Sequence, residues 1–207
     1  MKKNIYIMMM MIIIVVVIII IAIYNINKNV DKKCVIKKVY FFRNVLSHED
    51  YNIISEECNM LKSHVKEEYT ESVKRKTIVV DKNSYINTIF FGDKFLNYLH
   101  NILRFRVKPS TNLPIEFRIY EKGGKMDWHR DYVDKVVRNC PQIEIVFTLE
   151  NTSDSKTLWI DDDTNKKYEI ITQNNSIIIT QGNGAYHMVT PVTTGYRSII
   201  KIAYDIL

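Results

Sequence analysis

Cysteine is scarce in this chain, and what there is cannot form a metal knuckle. Cys34, Cys58 and Cys140 are an odd set with no C-x-x-C spacing, which excludes a zinc knuckle and leaves room for one disulfide at most. No internal repeat is present, and low complexity is confined to the amino terminus. Aromatic residues are only sparsely interleaved with the basic clusters, where a single-stranded nucleic-acid groove needs a run of them. The net charge of +6 comes from lysines scattered along the chain, so it reads as solvated surface unless the fold gathers them on one face.

What remains is enough for one domain. The 207 residues, 46% of them hydrophobic, suffice for a single core. Residues 5–23 are uncharged and apolar throughout, and as a helix they would span about 28 Å, close to the hydrocarbon thickness of a bilayer. The run is long for a signal peptide and no small-x-small cleavage site follows it. We expect an uncleaved transmembrane anchor over 1–24, a lysine-rich tether over 25–38 and a folded domain over 39–207. Lys2 and Lys3 precede the anchor, whereas Lys28, Lys32, Lys33, Lys37 and Lys38 follow it. That bias alone would keep the domain cytoplasmic.

Within the domain, a strand-like start near Val39 gives way to Ser47, a helix N-cap with Glu49 and Asp50 in the first turn. Ile54, Cys58, Leu61 and Val65 make one apolar stripe, predicting a helix to about Lys66 with Cys58 in the core. A second helix is predicted from Asp93 to about Arg104, with Phe95, Leu96, Leu99, Ile102 and Leu103 on one face. After Pro109 come short β-rich runs over 115–121, 143–150, 157–160, 168–172, 176–180 and 197–204, separated by Asn, Asp, Gly and Pro. The fold class is therefore α+β, mainly β: an antiparallel sandwich or jelly roll with helices on one outer face. Asp161, Asp162 and Asp163 read as a solvated hairpin turn without a role.

The chemistry converges on R-I-Y-E-K-G-G-K-M-D-W-H-R-D, residues 118–131. On an extended backbone, residues i and i+2 share a face, so His129 and Asp131 can ligate one ion. His187, in G-N-G-A-Y-H-M-V-T-P-V-T-T-G-Y-R, is the candidate third ligand. Two histidines and a carboxylate form the facial triad of non-haem Fe(II), with open positions for chemistry. Trp128 and Arg130 alternate to the other face, as packing and as solvent or substrate contact. Residues 132–142 form a candidate substrate lid.

These segments resemble the prolyl 4-hydroxylase group of Fe(II)/2-oxoglutarate dioxygenases. In that family a Tyr stands nine residues before the first ligand, as Tyr120 does before His129, and small residues fill the places of Gly123 and Gly124. A basic residue follows the last histidine by ten, the position of Arg197; Arg there is closer to lysyl hydroxylases, whereas collagen prolyl hydroxylases carry Lys. The likeness covers roughly residues 40–207. It departs at S-D-S-K-T-L-W-I, where the family has a glycine-rich turn.

The resemblance implies a double-stranded β-helix and Fe(2+) held by His129, Asp131 and His187. It also implies 2-oxoglutarate contacted by Arg197 and Tyr120, with O2 as co-reactant and L-ascorbate as reductant. The expected function is hydroxylation of a prolyl or lysyl side chain in a protein or peptide. The alternatives are a nucleic-acid demethylase of the same cofactor class, with phosphate contacts from Arg104, Arg106 and Lys108 or from Lys74, Arg75 and Lys76, and a non-enzymatic tethered jelly roll. Resemblance to secretory-pathway hydroxylases places the domain in an endoplasmic-reticulum-type lumen, against the lysine bias. We take the lumenal side, with Asn151-Thr152-Ser153 and Asn174-Asn175-Ser176 as glycosylation acceptors.

Overall fold

The structure, a computed structural model, describes residues 15–19, 38–131, 142–182 and 184–207. The expected anchor and tether lie outside the described residues, apart from a helical stretch over 15–19 and residue 38. Among the described residues no helix is long and apolar enough to cross a membrane. The proposed lid over 132–142, all but its last residue, and two of the three cysteines, Cys34 and Cys140, also fall outside.

The chain order is β1 (Tyr40–Arg43), α1 (His48–Leu61), a 3-10 turn (Lys62–His64), β2 (Lys66–Tyr69), β3 (Val73–Val79), α2 (Tyr85–Phe91), α3 (Asp93–Leu103), β4 (Val107–Pro109), β5 (Glu116–Tyr120), β6 (Lys125–His129), β7 (Ile143–Asn151), β8 (Thr157–Ile160), β9 (Lys167–Ile170), β10 (Ser176–Gln181), β11 (Tyr186–Val189) and β12 (Arg197–Ile206). Ser47 caps α1 as expected. Its Oγ accepts from the Asp50 N–H at 3.2 Å and donates to Asp50 Oδ2 at 2.7 Å, which satisfies one of the orphan donors of the first turn.

Several expectations need correction. Helix α1 stops at Leu61 rather than near Lys66 and tightens into the 3-10 turn, while Val65 keeps its place against the core. Helix α2 was not expected, because it is only seven residues long, too short for a periodic signal. The β2–β3 hairpin was also missed. K-E-E-Y and V-K-R-K-T-I-V look like solvated charge, yet they pair in register from Lys66–Thr77 to Tyr69–Lys74. Strands therefore precede and separate the helices. Helix α3 ends where predicted: Arg104 adopts a left-handed conformation (φ 66°) and its N–H bonds to the His100 carbonyl.

The strands form one sheet in the order β1-β10-β7-β12-β5-β3-β6-β11-β8-β9, with β2 added on β3 and β4 on β12. It curls until the face of β12 meets β8, where Arg197 Nη1 donates to Thr157 Oγ1 at 2.9 Å. The period-two alternation of its strands builds two layers. Ile143, Ile145, Phe147, Ile177, Ile179, Ile200, Ile202 and Tyr204 pack under the helices with Ile54, Cys58, Phe90, Phe95 and Leu99. The intervening residues face the hollow of the curl, where Tyr120, Val189, Val192 and Ile199 form a smaller cluster with Met126 and Val146. Because β7, β10 and β12 are covered on both faces, their sequences run almost continuously apolar.

Candidate metal centre

His129 ends β6 and lies directly opposite His187 on antiparallel β11, so the two rings come together, 4.3 Å apart between centroids. Asp131 follows two residues on and completes the group. The three residues offer ligand atoms that all lie within 4.8 Å of one another. The Nε2 atoms of His129 and His187 stand 3.7 and 3.5 Å from the two Asp131 oxygens. Donors about 2.1 Å from one ion at 90–110° lie roughly 3 to 3.5 Å apart, so the set fits a single divalent cation.

Tautomers are fixed by the backbone. His129 Nδ1 is 2.8 Å from the Asp127 carbonyl and His187 Nδ1 is 2.9 Å from the Ala185 carbonyl. A carbonyl can only accept, so each Nδ1 carries the proton and each Nε2 lone pair is turned toward Asp131. Burial pushes the His187 imidazole below its ordinary pKa, which keeps it neutral, the form a metal binds. Burial opposes ionisation of Asp131, but the neighbouring His129 and His187 rings and the Lys201 charge outweigh it and hold the carboxyl well below the usual range. Thr180 Oγ1 donates to Asp131 Oδ2 at 3.3 Å and steadies it.

The triad opens on the hollow of the curl. That cavity is lined by apolar Val39, Met126, Val146, Ile178 and Val189 together with Tyr120, Thr157, Arg197, Arg118, Glu144 and Lys201. Arg197 and Tyr120 are register partners on β12 and β5. Arg197 is 1% exposed; among the described residues its side chain has one hydrogen bond, to the neutral Thr157 hydroxyl, and its Nε has no partner. Burial pulls its pKa down to about 10. A desolvated cation with unmet donors awaits an anion, and its planar fork suits a carboxylate. The two glycines serve geometry. A Cβ on Gly124 would stand 2.7 Å from the Glu121 carbonyl, and Gly123 has φ +80°. Here the backbone of Val192 makes two hydrogen bonds to the turn.

All five residues singled out from the sequence thus gather around one cavity. Trp128 and Arg130 do face away: Trp128 stacks on Tyr186 at 5.2 Å, and Arg130 forks onto Asp162 at 2.9 and 2.8 Å. Asp161 closes the β8–β9 turn through Thr164. Sequence reading missed Thr157, Thr180, Glu144 and Lys201. Charge inside the apolar runs of β7 and β12 was the available signal for the last two, since a polar residue on a strand covered on both faces must meet a cavity. Glu144 is paired with Lys201 at 2.7 Å, and burial together with the Asp131 charge raises its pKa to about 7.

No family model and no curated protein sequence matches the chain. Its fold, however, is shared with solved structures. A Pseudomonas putida prolyl-4-hydroxylase superposes with a TM-score of 0.65 at 11% identity, covering 86% of this chain and 98% of that one. A Trichoplax adhaerens prolyl hydroxylase in complex with a hypoxia inducible factor peptide fragment gives 0.64 at 12%, covering 87% and 90%. HygX from Streptomyces hygroscopicus, with nickel and 2-oxoglutarate bound, gives 0.62 at 9%, covering 82% and 83%. The chain has the jelly-roll fold of 2-oxoglutarate/iron oxygenases.

Proposed function

We propose that the protein is a membrane-anchored Fe(II)/2-oxoglutarate dioxygenase that hydroxylates a prolyl or lysyl side chain of a protein or peptide. One observation carries the reading. The His129–Asp131–His187 triad and the orphaned guanidinium of Arg197 face the same cavity, so a metal and a dicarboxylate have separate holders in one space. The solved neighbours support it through their fold, and one of them holds a peptide.

His129, Asp131 and His187 would hold Fe(II), and Arg197 with Tyr120 would take the distal carboxylate of oxoglutarate. Iron so bound would supply oxidative decarboxylation of oxoglutarate to succinate and CO2, with one atom of O2 entering succinate and the other a substrate C–H bond. Ascorbate would keep that iron reduced. The chain's part is orientation, neutral imidazoles and a largely apolar wall that excludes water. Residues 1–24 would anchor the domain, over 39–207, in an endoplasmic-reticulum-type membrane, facing the lumen.

The deciding experiment incubates the full chain with Fe(II), oxoglutarate, ascorbate and peptide pools containing proline or lysine, and measures succinate and a mass gain of one oxygen. Peptide-stimulated succinate with hydroxylated peptide is expected. Absence of turnover and of iron binding would refute the enzyme reading. A glycosidase-sensitive mass shift at Asn151 or Asn174 is expected of a lumenal domain, and protease access in sealed microsomes without glycan would refute that topology.

A further inference from the structure

The β2–β3 hairpin brings a second cation up behind the Arg197 end of the cavity. Strand β3 pairs with β5 through residues 76–79 and with β6 through residues 73 and 74. Arg75 falls at the changeover between these two neighbours, and its side chain passes inward there, 7% exposed. Its Nε and Nη2 fork onto Glu68 Oε2 and Oε1 at 2.6 and 3.0 Å, Glu68 being its register partner on β2. The remaining nitrogen, Nη1, donates to Tyr120 Oη at 3.3 Å and touches Met126 Sδ at 3.4 Å. Arg75, which the demethylase alternative would place on phosphate with Lys74 and Lys76, is therefore an interior cation.

Direction follows from the donor inventory. A guanidinium has no acceptor, so the Tyr120 oxygen must accept from Arg75, and its own proton is turned away. Among the described residues the hydroxyl's other hydrogen-bonding neighbour is Met126 Sδ at 4.0 Å, a weak acceptor. Tyr120 lines the cavity beside its register partner Arg197. The fork from Glu68 matters equally, because it fixes the plane of the guanidinium and with it the line of the third bond.

We infer that Arg75 is a positioning residue for the cosubstrate: clamped by Glu68, it orients the Tyr120 hydroxyl so that its proton is offered to the distal carboxylate of 2-oxoglutarate beside Arg197. The inference rests on the proposed dioxygenase reading and names a residue that never touches oxoglutarate. A simple hairpin clamp between Glu68 and Arg75 is the competing role, and it makes different predictions.

The test loads the full chain with Fe(II) under nitrogen and measures by calorimetry the Kd for 2-oxoglutarate and for 2-oxobutanoate, which has the same keto-acid head without the distal carboxylate. Arg75→Met should weaken oxoglutarate about three- to tenfold, the scale of one hydrogen bond, and leave 2-oxobutanoate unchanged. In a Tyr120→Phe background the same substitution should add nothing. Arg75→Lys, which still donates to the phenol, should recover part of the affinity; if Arg75→Met does not fold, Arg75→Lys is compared with wild type by the same criteria, with a smaller loss expected. Equal weakening of both ligands, an undiminished effect in the Phe background, or no weakening overturns the inference while leaving the dioxygenase reading intact. A wild-type protein that fails to bind oxoglutarate overturns both.

Discussion

Arg197→Met should make the metal-free protein more stable and the site useless. The guanidinium is buried and, among the described residues, has one neutral hydrogen-bond partner and no carboxylate paired with it. Burial lowers its pKa to about 10. At about 1.4 kcal/mol per tenfold change in proton affinity, that displacement corresponds to roughly 3 kcal/mol of destabilisation. The sign is that of a base with a depressed folded pKa: below about pH 10 the folded state carries the full cost, and the cost fades as pH rises above it. Methionine keeps most of the stem's packing and removes the charge, but it forfeits the Thr157 bond, worth about 1 kcal/mol. The net gain is about 2 kcal/mol, or roughly 4–8 °C for a chain of this size. Oxoglutarate, in contrast, loses the partner of its buried charge, which costs about 2–5 kcal/mol, or roughly thirtyfold to several thousandfold in Kd. Urea midpoints of metal-free wild type and variant, and oxoglutarate calorimetry on the iron-loaded forms, check both halves. A variant less stable than wild type would refute the unpaired-cation argument, and equal oxoglutarate affinities would refute the anchor role.

Three further outcomes are expected. Ala at His129, Asp131 or His187 should abolish turnover and reduce Fe(II) bound per chain, read by metal analysis after dialysis; full occupancy in His187→Ala would remove it from the site. Tyr204→Phe should cost about 1 kcal/mol in urea unfolding, because the buried Tyr204 hydroxyl donates to the Phe90 carbonyl of α2 at 2.6 Å; an unchanged midpoint would mean that this bond adds nothing to the docking of α2. Asp154 accepts from Thr193 and Thr194, and these bonds lower its pKa to about 2. A depressed acid stabilises above its unfolded value and loses that contribution as pH falls through the folded one. The stability gap between wild type and Asp154→Asn should accordingly be widest above about pH 4 and narrow toward pH 2, and a gap independent of pH would show that the carboxylate charge is not what holds the turn.

Much of the site was legible because its logic is local. A His-x-Asp on a strand points both ligands one way whatever surrounds it, and the helix signals at Ser47 and along Phe95, Leu99 and Leu103 depend on neighbours within a turn or two. The short apolar runs of β7, β10 and β12 likewise declared strands, and their near-continuity fits cover on both faces. What the sequence could not determine is distance between segments. That His187 lies opposite His129, that Arg197 meets Thr157, and that Thr180 steadies Asp131 are results of curling one sheet upon itself, a long-range choice with no local code. Arg75 shows the limit most clearly. Between two lysines it has the same chain neighbours as any solvated cation, and only the exchange of β5 for β6 beside β3 turns it inward to Glu68 and Tyr120.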